Sequence, residues 1–370
     1  MTSNPHPLRI FIKAAVLFLL CNALFAAVQP LPTLGRWSLY GHLYPSRLRL
    51  PYGEDPQQAH NLTLTNLPAM LASHAISQPK AADEFRVVVL GDSAVWGWLL
   101  PPAQTLIGQL NQQAHLTSDG RRIVFYNLGY PLLSLTKDVL LLQEALAYEP
   151  DMFIWLITLQ SCAPAQQMQP PLVQHNGAKL RPLIASHRLP LATDDPLWVE
   201  PSWWERTIVG QRRPLADLLR LQLVGASWAA TGIDQAIPPS YTPRQTDLAA
   251  DNSWQTWPEP TALTAADLSF DVLRVGIELA GDVPLLLVNE PMFVSTGANS
   301  DLRYNSFYPR WAYDAYRGQL AQTAVASGWL FVDLWDGIPP AEFTDSPVHL
   351  SAVGNELLAA QLGEIVENKK

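Results

Sequence analysis

Cysteine is nearly missing from this 370-residue chain, which has only Cys21 and Cys162. One pair, with Cys21 inside an apolar run, makes neither a disulfide framework nor a cysteine-type zinc site. Charge is also scarce, at 15% of residues against a usual value of about 25%. The 24 Lys and Arg are outnumbered by 33 Asp and Glu, for a net charge of −9, and they form no cluster able to track phosphates. Nucleic-acid binding is thereby excluded. No repeat period, metal-ligand spacing or phosphate-cradling glycine loop is found. What the chain does have is 48% apolar residues, sufficient for a large core, and 32 prolines, so a loop-rich fold of one large or two modest domains is expected.

The N-terminus carries a targeting segment. Arg9 and Lys13 precede an uncharged run from Ala14 to Val28 that stops before Pro30 and Pro32. The run suits the apolar stretch of a signal peptide, whereas a spanning helix needs about 20 residues. Counting from Ile10 approaches that length if Lys13 snorkels to the headgroups. Ala23/Phe25, Leu24/Ala26 and Phe25/Ala27 each lack one of the two small residues that cleavage requires, so residues 1–32 are read as an uncleaved anchor with the body outside the cytoplasm. A secreted, cleaved form is the alternative. Leu19-Leu20 before Cys21 argues against lipoprotein processing, and Arg36, Arg47 and Arg49 weaken any charge-based test of orientation.

Beyond a lead-in at 33–83, strands and helices alternate. Arg86–Leu90, Ile123–Leu128, Met152–Thr158, Pro284–Val288 and Trp329–Asp333 read as strands; Thr105–His115, Leu135–Tyr148, Trp311–Ser327 and Ser351–Val366 read as helices, with Thr105 an N-cap. Such βαβα order predicts an α/β fold with a mostly parallel sheet, helices on both faces and a site beyond the carboxyl ends of the strands. The rhythm is lost over 163–260, a Pro- and Trp-rich stretch containing six of the 13 tryptophans, which reads as an irregular insertion between core halves at 84–162 and 261–370. Its tryptophans either stack sugars, rest on lipid or pack an irregular subdomain. A helix over Leu215–Ala230, with Leu215, Leu218, Leu219 and Trp228 on one side, is expected to be buried more than interfacial.

Gly91-Asp92-Ser93 follows the first strand directly. A serine at a strand-to-helix turn can face the crevice, where turn N–H groups stabilise a developing oxyanion. Val95 stands where the α/β-hydrolase elbow needs glycine, so that fold is not indicated. A serine nucleophile needs a base. His349 lies on a loop between the fifth strand and the last helix, on the same rim as Ser93, and Asp345 four residues earlier could hold its Nδ1–H. His6, His42, His60, His115, His175 and His187 have no such context; His74, ahead of the first strand, is kept as a possible site residue.

Together Gly91-Asp92-Ser93, Asn127-Leu-Gly129 and Asp345…His349-Leu-Ser-Ala-Val-Gly354 resemble, in order, the conserved blocks of the SGNH (GDSL-like) hydrolases, over roughly 84–162 and 282–368. The resemblance implies a flavodoxin-like three-layer α/β/α sandwich and cofactor-free acyl-ester chemistry. It also implies Ser93 as nucleophile, His349 as base, Asp345 as its orienting group, and the N–H groups of Ser93 and Gly129 as oxyanion donors. Two departures stand out. The family's asparagine after the third strand is replaced by Thr158-Leu-Gln160-Ser-Cys162, where Gln160 offers an equivalent amide. Three residues rather than two separate Asp345 from His349, so a backbone carbonyl could orient the imidazole instead.

Asn289 and Glu290, at the end of the fourth strand, are expected on the substrate side of the rim. The cluster Arg303-Tyr-Asn305 and Tyr308-Pro-Arg310-Trp-Ala-Tyr313 suits a saccharide or an anionic headgroup, or simply loop packing. Asn61-Leu-Thr63 fits a glycosylation acceptor. The expected activity is hydrolysis of a carbohydrate-linked O-acyl ester, with no metal or cofactor. Alternatives are acyl transfer to a sugar hydroxyl and a non-catalytic binding or assembly role on the same scaffold. The sequence leaves the oligomeric state open.

Overall fold

The computed structural model describes residues 6–37, 46–52, 66–231, 237 and 240–368. The Asn61-Leu-Thr63 motif, His42, His60 and the side chain of Trp228 lie outside the described residues.

Helix α1 (Pro7–Val28) opens the chain and is almost wholly exposed. A segment holding a short helical turn, Leu67–Ala72, leads to the first strand. The core is then built in sequence from β1 (Glu84–Leu90), α2 (Ser93–Trp96), α3 (Leu106–Gln112), β2 (Arg122–Asn127), α4 (Leu135–Ala145) and β3 (Met152–Ile157). Helices α5 (Gly177–His187) and α6 (Arg212–Thr231) follow, and the chain returns through α7 (Phe270–Ala280), β4 (Leu285–Asn289), α8 (Arg310–Ser327), β5 (Leu330–Asp333) and α9 (Ala352–Asn368).

All five strands are parallel, in the order β2-β1-β3-β4-β5. This is the doubly wound α/β/α sandwich expected from the alternation. Side chains alternate across each strand, and both faces are covered. Val88, Leu90, Phe153, Trp155, Leu285 and Leu287 pack against α4, α7 and α8. Val87, Val89, Ile154, Leu156, Leu286 and Val288 pack against α3 and α9. Two buried faces explain why β1 and β3 read as continuous apolar runs instead of alternating ones. Thr105 caps α3 by accepting the Gly108 N–H at 3.2 Å.

The strand order reverses around β1, whose neighbours β2 and β3 leave in opposite directions, so a crevice opens at the carboxyl end of β1. That is where Ser93 lies.

Candidate active site

Ser93 sits where β1 turns into α2. Gly91 makes the turn at φ +156°, and a Cβ there would come within 2.6 Å of Val95 Cγ2 and 3.2 Å of the Leu156 carbonyl. Asp92 caps α2, accepting the Ala94 N–H at 2.7 Å. Ser93 is therefore the first helical residue, and its N–H has no acceptor one turn earlier. Three braces hold the turn. Asn127 donates to the Val95 carbonyl at 2.9 Å. Arg49 donates to the carbonyls of Gly97 and Leu100 while lying on the face of Trp96. Lys137, fully buried, donates to the carbonyls of Gly91 and Tyr130 at 2.7 and 2.5 Å and pairs with Asp138 at 2.8 Å.

His349 approaches from the loop before α9. Its Nε2 lies 2.8 Å from Ser93 Oγ, and its Nδ1 lies 2.8 Å from Asp345 Oδ1. The loop closes on itself: Phe343 and Leu350 form an antiparallel bridge, and the Thr344 N–H donates to the His349 carbonyl at 2.9 Å. This narrow closure brings Asp345 under the ring across three intervening residues. Burial opposes ionisation of Asp345, but the hydrogen bond and charge of His349, with the Thr344 hydroxyl donating at 3.1 Å, hold its carboxyl below its ordinary pKa. An ionised carboxylate only accepts, so Nδ1 carries a proton, and whenever the ring holds no second proton Nε2 accepts from the serine hydroxyl. That leaves Ser93 Oγ aligned with a base.

Both groups open into a cavity of about 580 Å³. Trp98 forms one wall and stacks on His349, with ring centroids 6.0 Å apart and planes at 29°. The other walls are Tyr52, Pro131–Leu133, Gln160, Gln166, Ser253, Trp254, Gln255, Arg303 and Phe307. Gln160, in the turn after β3, thus lines the same cavity as Ser93. Among the described residues, no group of three His, Cys, Asp or Glu is arranged to hold a metal ion.

Four expected site residues lie elsewhere. Gly129 is buried, and its N–H donates to Asn127 Oδ1 at 3.0 Å, so it does not face the cavity. A Cβ at Gly129 would come within 2.5 Å of the Trp96 backbone nitrogen, so glycine is required there for close packing of the β2 loop on α2. His74 is buried and caps the turn Ala75–Ser77, accepting the Ile76 N–H at 3.1 Å; burial lowers its pKa to about 4, which keeps it neutral. Asn289 is buried on the α8 face of the sheet, donating to Asp333 at 2.8 Å and accepting from the Tyr316 hydroxyl at 3.0 Å. Glu290 is buried below the Ser93 turn. Desolvation, together with the nearby charges of Asp92 and Asp138, raises its pKa well above the ordinary value, against the pull of Lys137.

Two lining residues, Tyr52 and Trp98, gave no sequence signal. They converge with Trp254, one of the insertion tryptophans for which sugar stacking was one reading, from three distant segments that only the fold brings together. Of the aromatic and cationic cluster, Arg303 lines the cavity, as does Phe307 between its two parts, whereas Asn305 is buried and ties its own loop together through the N–H groups of Phe307 and Tyr308. Arg303 also pairs with Asp251 at 2.9 Å, fixing the strand-free arm that supplies Ser253, Trp254 and Gln255.

No family model matches the chain, and no curated protein matches it in sequence. Among solved structures it is similar to an aryl esterase from M. smegmatis, with 12% identity and a TM-score of 0.35 over 76% of this chain and 97% of that one. A carbohydrate acetylesterase from Sinorhizobium meliloti, Est24, gives 13% and 0.34 over 76% and 97%. A lipase/acylhydrolase from Enterococcus faecalis gives 13% and 0.38 over 76% and 95%. At such values the likenesses assign no residue, and the roles below rest on the geometry of this chain.

Proposed function

We propose that the protein is a serine hydrolase of O-acyl esters of the SGNH type, with Ser93 as nucleophile, His349 as general base and acid, and Asp345 as the group that orients His349. The observation carrying this reading is the chain of contacts from Asp345 through His349 to Ser93, at 2.8 Å each, opening into the cavity. His349 takes the Ser93 proton as Oγ attacks the acyl carbonyl. Asp345 stabilises the imidazolium that forms. The Ser93 N–H and the Gln160 amide are the proposed oxyanion donors, since the Gly129 N–H is engaged by Asn127. His349 then returns the proton to the departing alcohol, and water deprotonated by the same imidazole releases the acyl group.

A carbohydrate-linked ester is the proposed substrate class. Trp98 and Trp254 beside the amides of Gln166 and Gln255 give the cavity a mixed apolar and hydrogen-bonding lining, which suits a sugar with its apolar faces and hydroxyl edges. Helix α1 has 22 residues and contains an 18-residue stretch of mean hydropathy 2.3, long and apolar enough to cross a membrane, and we infer that it anchors the body outside the cytoplasm.

Full-length protein in detergent should react stoichiometrically with a fluorophosphonate and hydrolyse an activated acetate. Ser93→Ala should lose both activities. Unreactive wild type would replace the hydrolase reading with that of a binding module. Acyl release that depends on added saccharide would identify sugar rather than water as the acceptor.

A further inference from the structure

The N-terminal helix does not stand apart from the body. Asn22, the single polar amide in the run from Ala14 to Val28, is buried among exposed apolar neighbours. Its Nδ2 donates to the Phe18 carbonyl at 2.9 Å, and its Oδ1 accepts the Val209 N–H at 3.3 Å. At a rise of about 1.5 Å per residue, Asn22 lies about 9 Å short of the C-terminal end of α1. In a hydrocarbon core of about 30 Å that level belongs to the outer leaflet. The segment that Asn22 holds, Ser202–Gln211, therefore meets α1 in the outer half of the span, within about 9 Å of the outer boundary.

The exposed residues of that segment match such a location. Trp203 and Trp204 meet edge to face, with centroids 5.0 Å apart, and the Trp204 side of the pair is 71% exposed. Val209 is exposed beside the Asn22 contact. Helix α6 then turns Leu221 inward and presents Leu219 and Leu223 outward one turn apart, Leu223 at 79% exposure. This corrects the expectation of a buried helix with Leu219 on its packed side. Arg212, Arg213 and Arg220 border the outward stripe, where long side chains reach the headgroup layer. Gln222 donates to the Trp37 carbonyl at 3.0 Å, tying α6 to the chain leaving α1. Water is a poor environment for this set of side chains, whereas indoles and leucines edged by arginine suit a bilayer interface.

We propose that Trp203, Trp204, Leu219 and Leu223 form a second membrane contact, docking the body onto the outer interface of the bilayer that α1 crosses. The proposal rests on the anchored reading of α1. Two points of attachment, one spanning and one interfacial, fix the rotation of the body about the anchor, which a single helix leaves free.

Spin-label accessibility of the full-length protein in phosphatidylcholine vesicles containing phosphatidylglycerol tests both levels. Native Cys21, exposed on α1, is the label site for the anchor, and buried Cys162 stays unlabelled. In a Cys21→Ala background, Trp204→Cys and Leu223→Cys report on the platform, and Val353→Cys, exposed on α9, is the aqueous reference. Labels at 204 and 223 should show an oxygen-to-nickel-chelate accessibility ratio at least about fivefold above that at 353, as interfacial burial requires. Ratios at 204 and 223 equal to that at 353, with Cys21 still in hydrocarbon, would overturn the platform and leave the anchor. A water-exposed Cys21 would overturn both. Labels at 204 and 223 shielded from oxygen and chelate alike would mean that protein, not lipid, covers the patch.

Discussion

Ser93 and His349 meet at one point but are held there in different ways. The serine turn ends the strand at the centre of order reversal and is held by regular structure: backbone pairing of β1 on both sides, the Asn127 clamp, Arg49 on Trp96, and Lys137 beneath. The histidine loop has no strand. It depends on the Phe343–Leu350 bridge, on Phe293 donating to the Pro347 carbonyl at 2.7 Å, and on Arg244, which bonds the carbonyls of Phe343 and Pro340 from the arm after α6. The serine is thus placed by the core. The histidine is placed by irregular chain wrapped over the rim. Damage to the first support should register as lost stability, and damage to the second as lost turnover.

The largest effect should come from breaking the meeting point itself. Ser93→Ala and His349→Ala should each lower kcat by about 10⁴-fold, with the double variant no worse than either single one, since the pair acts as a unit. Steady-state hydrolysis of an activated acetate checks this, and additive losses would separate the two residues. Next is the serine-side support. Lys137→Ala leaves the buried Asp138 carboxyl without its counter-charge, and burial already raises the Asp138 pKa to about 6. Denaturant unfolding should show a loss of about 3–5 kcal/mol.

A pH test addresses the same half. His74 has a folded pKa of about 4 against an ordinary 6.5, so the unfolded chain binds the extra proton. Its contribution is complete above pH 6.5 and is lost as pH falls toward 4, to about 3 kcal/mol. His74→Gln should remove that part of the acid sensitivity, seen as a flatter stability difference between pH 7 and pH 4. The smallest effect belongs to the histidine-side support: Arg244→Ala should lower kcat about 10- to 100-fold through misplacement of His349. Its stability should stay within about 1 kcal/mol of the wild type, because solvent reaches part of the site. An Arg244→Ala variant that unfolds early instead would erase the contrast between the two supports.

The sheet was legible because apolar runs such as Val87–Leu90 and Met152–Ile157 have one physical explanation, burial on both faces. Ser93 and His349 were legible because each follows a strand and so falls on the crevice side. The errors came from residues that share this position without sharing the orientation. Asn289 ends β4 on the same edge, yet strand alternation turns it toward Tyr313 and Tyr316, and Glu290 folds beneath the serine turn. Gly129 sits in the expected loop, but the Asn127 side chain two residues earlier captures its N–H, a matter of rotamer that spacing does not encode. Trp98 and Tyr52 were silent because proximity between distant segments has no local signature.

Lys137 offers a further use. Its ammonium is fully buried beneath the serine turn, with contacts to two carbonyls and to Asp138. An amine-acetylating reagent in the medium can therefore reach it only during moments when that turn has come apart. The mass gained at this one lysine, followed by peptide mapping over hours, becomes a clock for local opening at the centre of the fold, readable without a substrate.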